Sequence, residues 1–111
     1  MQFLLLIYED EKRFSKGYDP AEMGEYQAFG KEFAKNIKGG NALQATGTAK
    51  SVRIRNGKAA VTDGPFAETK EQLGGFYLVE AGNVDEAAKM AARIPGARFG
   101  TIEVRPIMTF S

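Results

Sequence analysis

The chain has 111 residues, 43% of them hydrophobic, and its 15 basic residues almost balance its 14 acidic ones. This length fits a single domain, and a net charge of +1 argues against direct binding to nucleic acid or to an anionic membrane. Cysteine and histidine are both absent, which excludes disulfides, thiolate chemistry, and the commonest general base and transition-metal ligand. We therefore expect neither a metal nor a cofactor, and any catalysis must use Asp, Glu, Lys, Arg, Tyr, Ser or Thr.

The first predicted element is a strand at residues 3–8, where six apolar residues follow one another. Such a run is typical of a strand that is covered on both faces. It is too short to cross a membrane or to form a signal segment, so we expect a cytoplasmic protein. Residues 9–18 mix charged residues with glycine and are expected to form an exposed loop.

The first predicted helix begins after Asp19, which can cap it, with Pro20 at the first helical position and Glu22 at capping-box spacing. An apolar stripe then continues to Ile37, which indicates that one face of the helix is buried. The pair Gly39-Gly40 is expected to end the helix.

Four strands are predicted between this helix and the next. A weak signal at residues 42–46 precedes a hairpin, whose arms 51–55 and 58–62 flank Asn56-Gly57, a dipeptide that favours a tight turn. Another strand follows at residues 76–80.

The second predicted helix opens at Asn83 and ends near Pro95-Gly96. Its expected inner face consists of small and branched residues: Val84, Ala87, Ala88, Ala91 and Ile94. The last strand is predicted at residues 101–107, where apolar and charged residues alternate.

This order predicts an α+β protein, a ferredoxin-like β-α-β/β-hairpin/β-α-β sheet with two helices on one face. Such a sheet has a second face that its own helices leave open, although the first strand is apolar on both sides. A second copy of the sheet is the simplest cover, so we expect a homodimer that forms an α/β barrel through the open sheet face.

Residues 63–80 carry more chemistry than a connection between strands requires: Asp-Gly-Pro-Phe and Gly-Gly precede an apolar strand, with four charged side chains when Asp63 is counted. Together with residues 4–8 and Glu103-Val104-Arg105-Pro106, this block resembles the DGPF branch of the YCII-related family, over essentially the whole chain. The resemblance implies one domain spanning residues 1–111 and a dimeric α+β barrel with two facing ferredoxin-like sheets. It also implies a similarity in fold to small dimeric enzymes that handle aromatic or lactone-like ligands.

The resemblance does not supply an activity, because the family as a whole has no established one. A His–Asp pair has been proposed as acid and base in the wider family, and DGPF relatives often carry a histidine near the position of Phe99. This chain has no histidine and departs from that pattern. Some relatives accompany or are fused to extracytoplasmic-function sigma factors, which adds a regulatory role to the hypotheses.

Asp63 is the candidate catalytic residue. As a turn residue it would bond the backbone ahead, while Pro65 fixes the chain and Phe66 anchors the loop. As a functional residue it is a carboxylate held at a strand end, able to orient or deprotonate a ligand. A base near neutral pH would need burial or a second carboxylate such as Glu68.

Six further residues are candidate ligand contacts: Tyr8, Arg55, Glu68, Lys70, Tyr77 and Arg105. Glu68 and Lys70 form either a solvated loop or a lid between the turn and Gly-Gly. Arg55 and Arg105 either make cross-strand ion pairs or hold a carboxylate ligand in a planar fork. Tyr8 and Tyr77 either pack in a core or interface, or offer hydroxyl groups to a ligand.

Three functions remain open at this point. The leading hypothesis is a dimeric barrel that binds an unidentified small molecule, with a regulatory role as one option. The second is a small enzyme in which Asp63 is the general base and Arg105 or Lys70 polarises a substrate carbonyl or carboxylate. The third is a protein-binding module associated with a sigma factor.

Overall fold

The computed structural model describes residues 1–110, which fold into two separate sheets with helices on one face of the larger sheet. In chain order the elements are β1 (Gln2–Glu9), α1 (Pro20–Glu32), β2 (Ile37–Ala42), β3 (Lys50–Arg55), β4 (Lys58–Asp63), β5 (Gln72–Glu80), α2 (Val84–Ala91) and β6 (Thr101–Pro106). Short 3-10 turns lie at Glu11–Phe14, Thr46–Thr48 and Pro95–Arg98.

The larger sheet has four antiparallel strands in the order β2-β5-β1-β6. The first helix connects β1 to β2, and the second connects β5 to β6, so the sheet has the ferredoxin-like βαββαβ arrangement. The predicted α+β class and ferredoxin-like fold are therefore confirmed.

The core lies between this sheet and the two helices. Phe3, Leu5 and Ile7 alternate along β1 and are buried in one cluster with Phe29 of α1 and Ala87 of α2. The predicted inner face of α2 needs three corrections. Met90 is buried there, whereas Val84, in the first turn of the helix, and Ala88 are exposed.

The predicted end of the first helix was wrong. The helix ends at Glu32, and Gly39-Gly40 lies inside β2 rather than at a helix end. A side-chain Cβ on Gly40 would lie 2.6 Å from the backbone oxygen of Phe76, so this glycine permits close approach of β2 to β5. The strand predicted at residues 42–46 is therefore observed at Ile37–Ala42, nearer the N-terminus.

Strands β3 and β4 form a hairpin that pairs only with itself among the described residues. Asn56 and Gly57 both have positive φ, 53° and 75°, which confirms the predicted tight turn. Every residue of the two strands except Ser51 is exposed. Residues 50–63 are termed the hairpin arm below, and the rest of the described chain is termed the body.

The chain is less compact than its length predicts. The radius of gyration is 15.9 Å, whereas a compact domain of this length has about 13 Å. The accessible surface is 8038 Å², whereas a folded monomer of this mass exposes about 6,000 Å². The chain thus presents an excess of about 2,000 Å² of surface. In residues 1–110 no helix is long and apolar enough to cross a membrane.

Candidate functional site

The helices leave one face of the larger sheet uncovered, and this surface is termed the open face. Its centre is an apolar band in which Leu4 pairs with Leu78 and Leu6 pairs with Phe76 across β1 and β5. Its polar border is supplied by β6, whose Thr101, Glu103 and Arg105 lie opposite Tyr8, Leu6 and Leu4. The open face thus combines an apolar surface with a row of polar groups.

A depression of about 470 Å³ lies at this polar border. It is lined by Tyr8, Glu71, Thr101, Glu103 and Arg105. The Thr101 hydroxyl donates to Glu71 Oε1 at 3.0 Å, and Arg105 Nη2 donates to Glu103 Oε2 at 3.2 Å. A phenol, a hydroxyl, two carboxylates and a guanidinium therefore line a shallow depression that is open to solvent in the single chain.

Two predicted ligand contacts, Tyr8 and Arg105, meet in this depression. Arg105 pairs with Glu103 of its own strand rather than across strands, and both side chains are partly exposed. An exposed pair of this kind contributes about 1 kcal/mol or less, so it can open to admit a ligand.

The second aromatic candidate, Tyr77, lies on the opposite face of the sheet. It pairs with Leu5, and its ring centroid is 5.0 Å from that of Phe29 in α1. Burial raises the pKa of the Tyr77 hydroxyl. Tyr77 is therefore a core side chain and is separated from Tyr8 by the sheet.

Asp63 ends β4 at the base of the hairpin arm. Its side chain is 84% exposed and forms an ion pair with Lys50 across the arm. The turn after it is held by the backbone, because the Gly64 N–H donates to the Ala49 oxygen at 2.7 Å. Phe66 is 81% exposed, so the prediction that it anchors this loop was wrong for the single chain.

The remaining candidates are surface residues of the single chain. Glu68 and Lys70 are exposed in the connection between β4 and β5. Arg55, at the tip of the arm, donates from Nη1 to the Ile54 backbone oxygen at 2.8 Å. None of the three lines the depression on the open face.

A buried charged cluster at the end of β1 was missed by the sequence prediction. Glu9 is only 5% exposed, and its Oε1 has no hydrogen-bond partner among residues 1–110. Arg13 Nη2 lies 3.7 Å from Glu9 Oε1 and donates to both Glu22 oxygens at 2.8 and 2.9 Å. Burial raises the pKa of Glu9; the Arg13 charge opposes this shift, and Glu22 and Glu71 reinforce it.

Aromatic and glycine contacts hold this cluster in place. The Arg13 guanidinium lies 3.7 Å from the centre of the Phe99 ring, which is a cation–π contact. A Cβ on Gly96 would lie 2.4 Å from Glu9 Oε1, so a larger residue there would displace the carboxylate. The sequence contained one signal for Glu9, since it continues the period-two pattern of Phe3, Leu5 and Ile7.

Within residues 1–110, no group of three or more Asp or Glu side chains is arranged to hold a metal ion.

The fold and the open face define a small α+β protein with a polar-bordered sheet surface. The chain belongs to the YCII-related domain family, whose match covers residues 1–111. It is 35% identical to an uncharacterized protein of Rhizobium meliloti (strain 1021), over 99% of this chain and 94% of that protein.

A solved structure with a similar fold is 5-chloro-2-hydroxyhydroquinone dehydrochlorinase (TftG) from Burkholderia phenoliruptrix AC1100, in complex with 2,5-dihydroxybenzoquinone. The TM-score is 0.58 at 17% identity, over 97% of this chain and 94% of that chain. This likeness concerns the fold.

Proposed function

We propose that this protein binds a small hydroxylated six-membered ring compound, aromatic or quinonoid, with an anionic oxygen in the depression on its open face. The observation that carries the proposal is the convergence of Arg105, Glu71, Glu103 and Tyr8 on one cavity. The Arg105 guanidinium suits an anionic oxygen, and the two carboxylates accept hydrogen bonds from ligand hydroxyls. The Tyr8 ring supplies an aromatic surface for stacking. The ligand in the TftG structure, 2,5-dihydroxybenzoquinone, has this chemistry.

The test is calorimetric titration with 2,5-dihydroxybenzoquinone and 2,5-dihydroxybenzoate, with benzoate as the compound that lacks hydroxyl groups. Replacing Arg105 with Gln should weaken binding about tenfold or more, because a hydrogen bond to a charged group contributes roughly 1.5–3 kcal/mol. The matched control is Arg53→Gln, which removes an exposed guanidinium from the hairpin arm. Equal weakening by both variants, or no binding of either hydroxylated compound, would contradict the proposal.

We further propose that the protein acts as a homodimer through the open face. A standard protein interface buries about 800 Å² on each partner, and the excess surface of this chain is more than twice that amount. The apolar band of Leu4, Leu6, Phe76 and Leu78 supplies a surface for such an interface. Sedimentation equilibrium should give a mass near twice 12.1 kDa, and a monomer at all concentrations would exclude the dimer.

The second candidate function is catalytic, and it is favoured by a fold shared with a dehydrochlorinase. Asp63 would be the general base, with Arg105 or Lys70 polarising the substrate. In the single chain Asp63 is exposed and paired with Lys50, so this function requires that another surface cover it. Loss of turnover with retained binding in Asp63→Asn would support catalysis. Binding without turnover in the wild type would favour a sensing role.

A further inference from the structure

We infer that the hairpin arm docks on a second copy of this chain, with its apolar face against the open face of the partner, and thereby places Asp63 at a shared site. This inference rests on the homodimer proposed above. It adds that the arm of each chain is covered by the open face of its partner. It also makes the site dependent on residues from two chains.

The register of the arm separates its residues into an apolar and a basic face. Lys50 pairs with Asp63, Val52 with Val61 and Ile54 with Ala59, so these six side chains share one face. Val52, Ile54 and Val61 are 62%, 61% and 58% exposed. An isolated two-stranded hairpin is marginal in water and needs further packing to be stable. The apolar face of the arm therefore lacks a cover in the single chain.

The arm and the body carry opposite net charges. The arm has four cations, Lys50, Arg53, Arg55 and Lys58, and one carboxylate, for a net charge of +3. Since the whole chain carries +1, the remaining residues carry −2, which attracts the arm to the body of another copy. Three of the cations lie on the face of the arm opposite Val52 and Val61, so charge favours the encounter and the apolar face makes the contact.

The segment that precedes the arm is anchored to its own body, whereas the strands of the arm are not paired with it. Just before β3, the Thr46 backbone N–H and hydroxyl donate to the Glu11 carboxylate at 2.7 and 3.0 Å. Beyond this anchor, the two strands pair only with each other within the described chain. The excess surface of about 2,000 Å² is large enough for a stable interface between copies.

Docking in this orientation changes the surroundings of Asp63. Because Asp63 shares a face with Val52 and Val61, burying those side chains also brings its carboxylate against the partner. A residue that is 84% exposed in the single chain would then become part of an enclosed site. This is the cover that the catalytic candidate requires.

Two adjacent residues allow a matched test. Val61→Asp places a carboxylate on the apolar face of the arm, whereas Thr62→Asp places the same charge on the opposite face. Sedimentation equilibrium should show that Val61→Asp weakens dimerisation about tenfold or more, while Thr62→Asp leaves it near the wild-type value. A wild-type protein that stays monomeric would refute the homodimer and this inference together. A dimer that tolerates both variants would refute the inference alone.

Cross-linking provides a second readout that does not depend on the stability of Val61→Asp. The chain has no cysteine, so Val61→Cys and Leu6→Cys proteins can be mixed and treated with a short bis-maleimide. If the arm docks as proposed, the Val61→Cys protein should be cross-linked to the Leu6→Cys protein. The Thr62→Cys protein should give much less of this product, and equal yields from both arm variants would overturn the inference.

Discussion

Apolar residues occupy alternate positions along strands of both the body and the hairpin arm, but they are buried in the body and exposed in the arm. In the body, the alternate residues Phe3 and Leu5 of β1 are fully buried under the helices. In the arm, Val52 and Ile54 occupy equivalent alternating positions and remain mostly exposed. Alternation therefore identifies a strand with an apolar face, but it does not reveal whether the cover for that face belongs to the same chain.

The largest expected effect falls in the body. Leu5→Ala removes a fully buried side chain from the core and should lower the free energy of unfolding by about 2–5 kcal/mol. Urea denaturation at a protein concentration that keeps the chain monomeric measures this loss. A change below about 1 kcal/mol would contradict the assignment of Leu5 to a close-packed core.

The next largest loss of stability is expected at Gly100, which lies against the backbone of β1. A Cβ on Gly100 would lie 2.0 Å from the Tyr8 carbonyl oxygen, and this backbone atom cannot rotate away. Gly100→Ala should therefore lower the free energy of unfolding by roughly 1–3 kcal/mol. Gly47→Ala is the control in the same denaturation experiment, because a Cβ there has no neighbour within 4 Å. Equal stability of the two variants would show that β1 and the segment before β6 are not in close contact.

The buried charge of Glu9 predicts a pH-dependent effect. Burial raises the pKa of Glu9 in the folded state, so the fold binds a proton that the unfolded chain has already lost. The resulting stabilisation is fully present below the unfolded pKa of about 4.5 and is lost as the pH rises through the higher folded pKa.

Glu9→Gln should therefore gain stability relative to wild type as the pH rises from 4 to 7, as measured by thermal unfolding. The control is Glu68→Gln, which changes an exposed carboxylate in the loop before β5. A stability difference between Glu9→Gln and wild type that stays constant across this range would contradict the proposed burial of an ionisable carboxylate.

The smallest effect is expected in the arm. Val52→Ala should change the free energy of unfolding by less than about 0.5 kcal/mol while the protein is monomeric, because the side chain is mostly exposed. The same denaturation experiment at high concentration should reveal a larger loss if a partner covers this face. A large loss in the dilute monomer would mean that the arm packs within its own chain.

Local signals predicted much of the fold. The Asp19 side chain accepts from the Ala21 N–H at 3.0 Å, and the Asn83 side chain accepts from the Glu86 N–H at 2.8 Å, as expected of helix caps. Asn56-Gly57 forms the expected hairpin turn. Each of these features depends on residues within a few positions, which is why the sequence alone can specify them.

Features that depend on distant residues could not be predicted in this way. Gly39-Gly40 has the composition of a helix end, but pairing with β5 places it inside a strand. The depression joins Tyr8 to Thr101 through the pairing of β1 with β6, and to Glu71 through the pairing of β1 with β5, so no local pattern links these residues. Arg13 and Glu22 likewise meet Glu9 only in the folded chain.

Hydrogen exchange of the arm amides at increasing protein concentration tests the central claim most directly. Exposed, isolated hairpins exchange quickly, whereas packed strands are protected. If a second copy covers the arm, the protection of amides 50–63 from exchange should rise with protein concentration toward that of β1. The amides of β1 should stay protected at every concentration. Rapid exchange in the arm at every concentration, beside a protected body, would contradict the claim that another copy covers it.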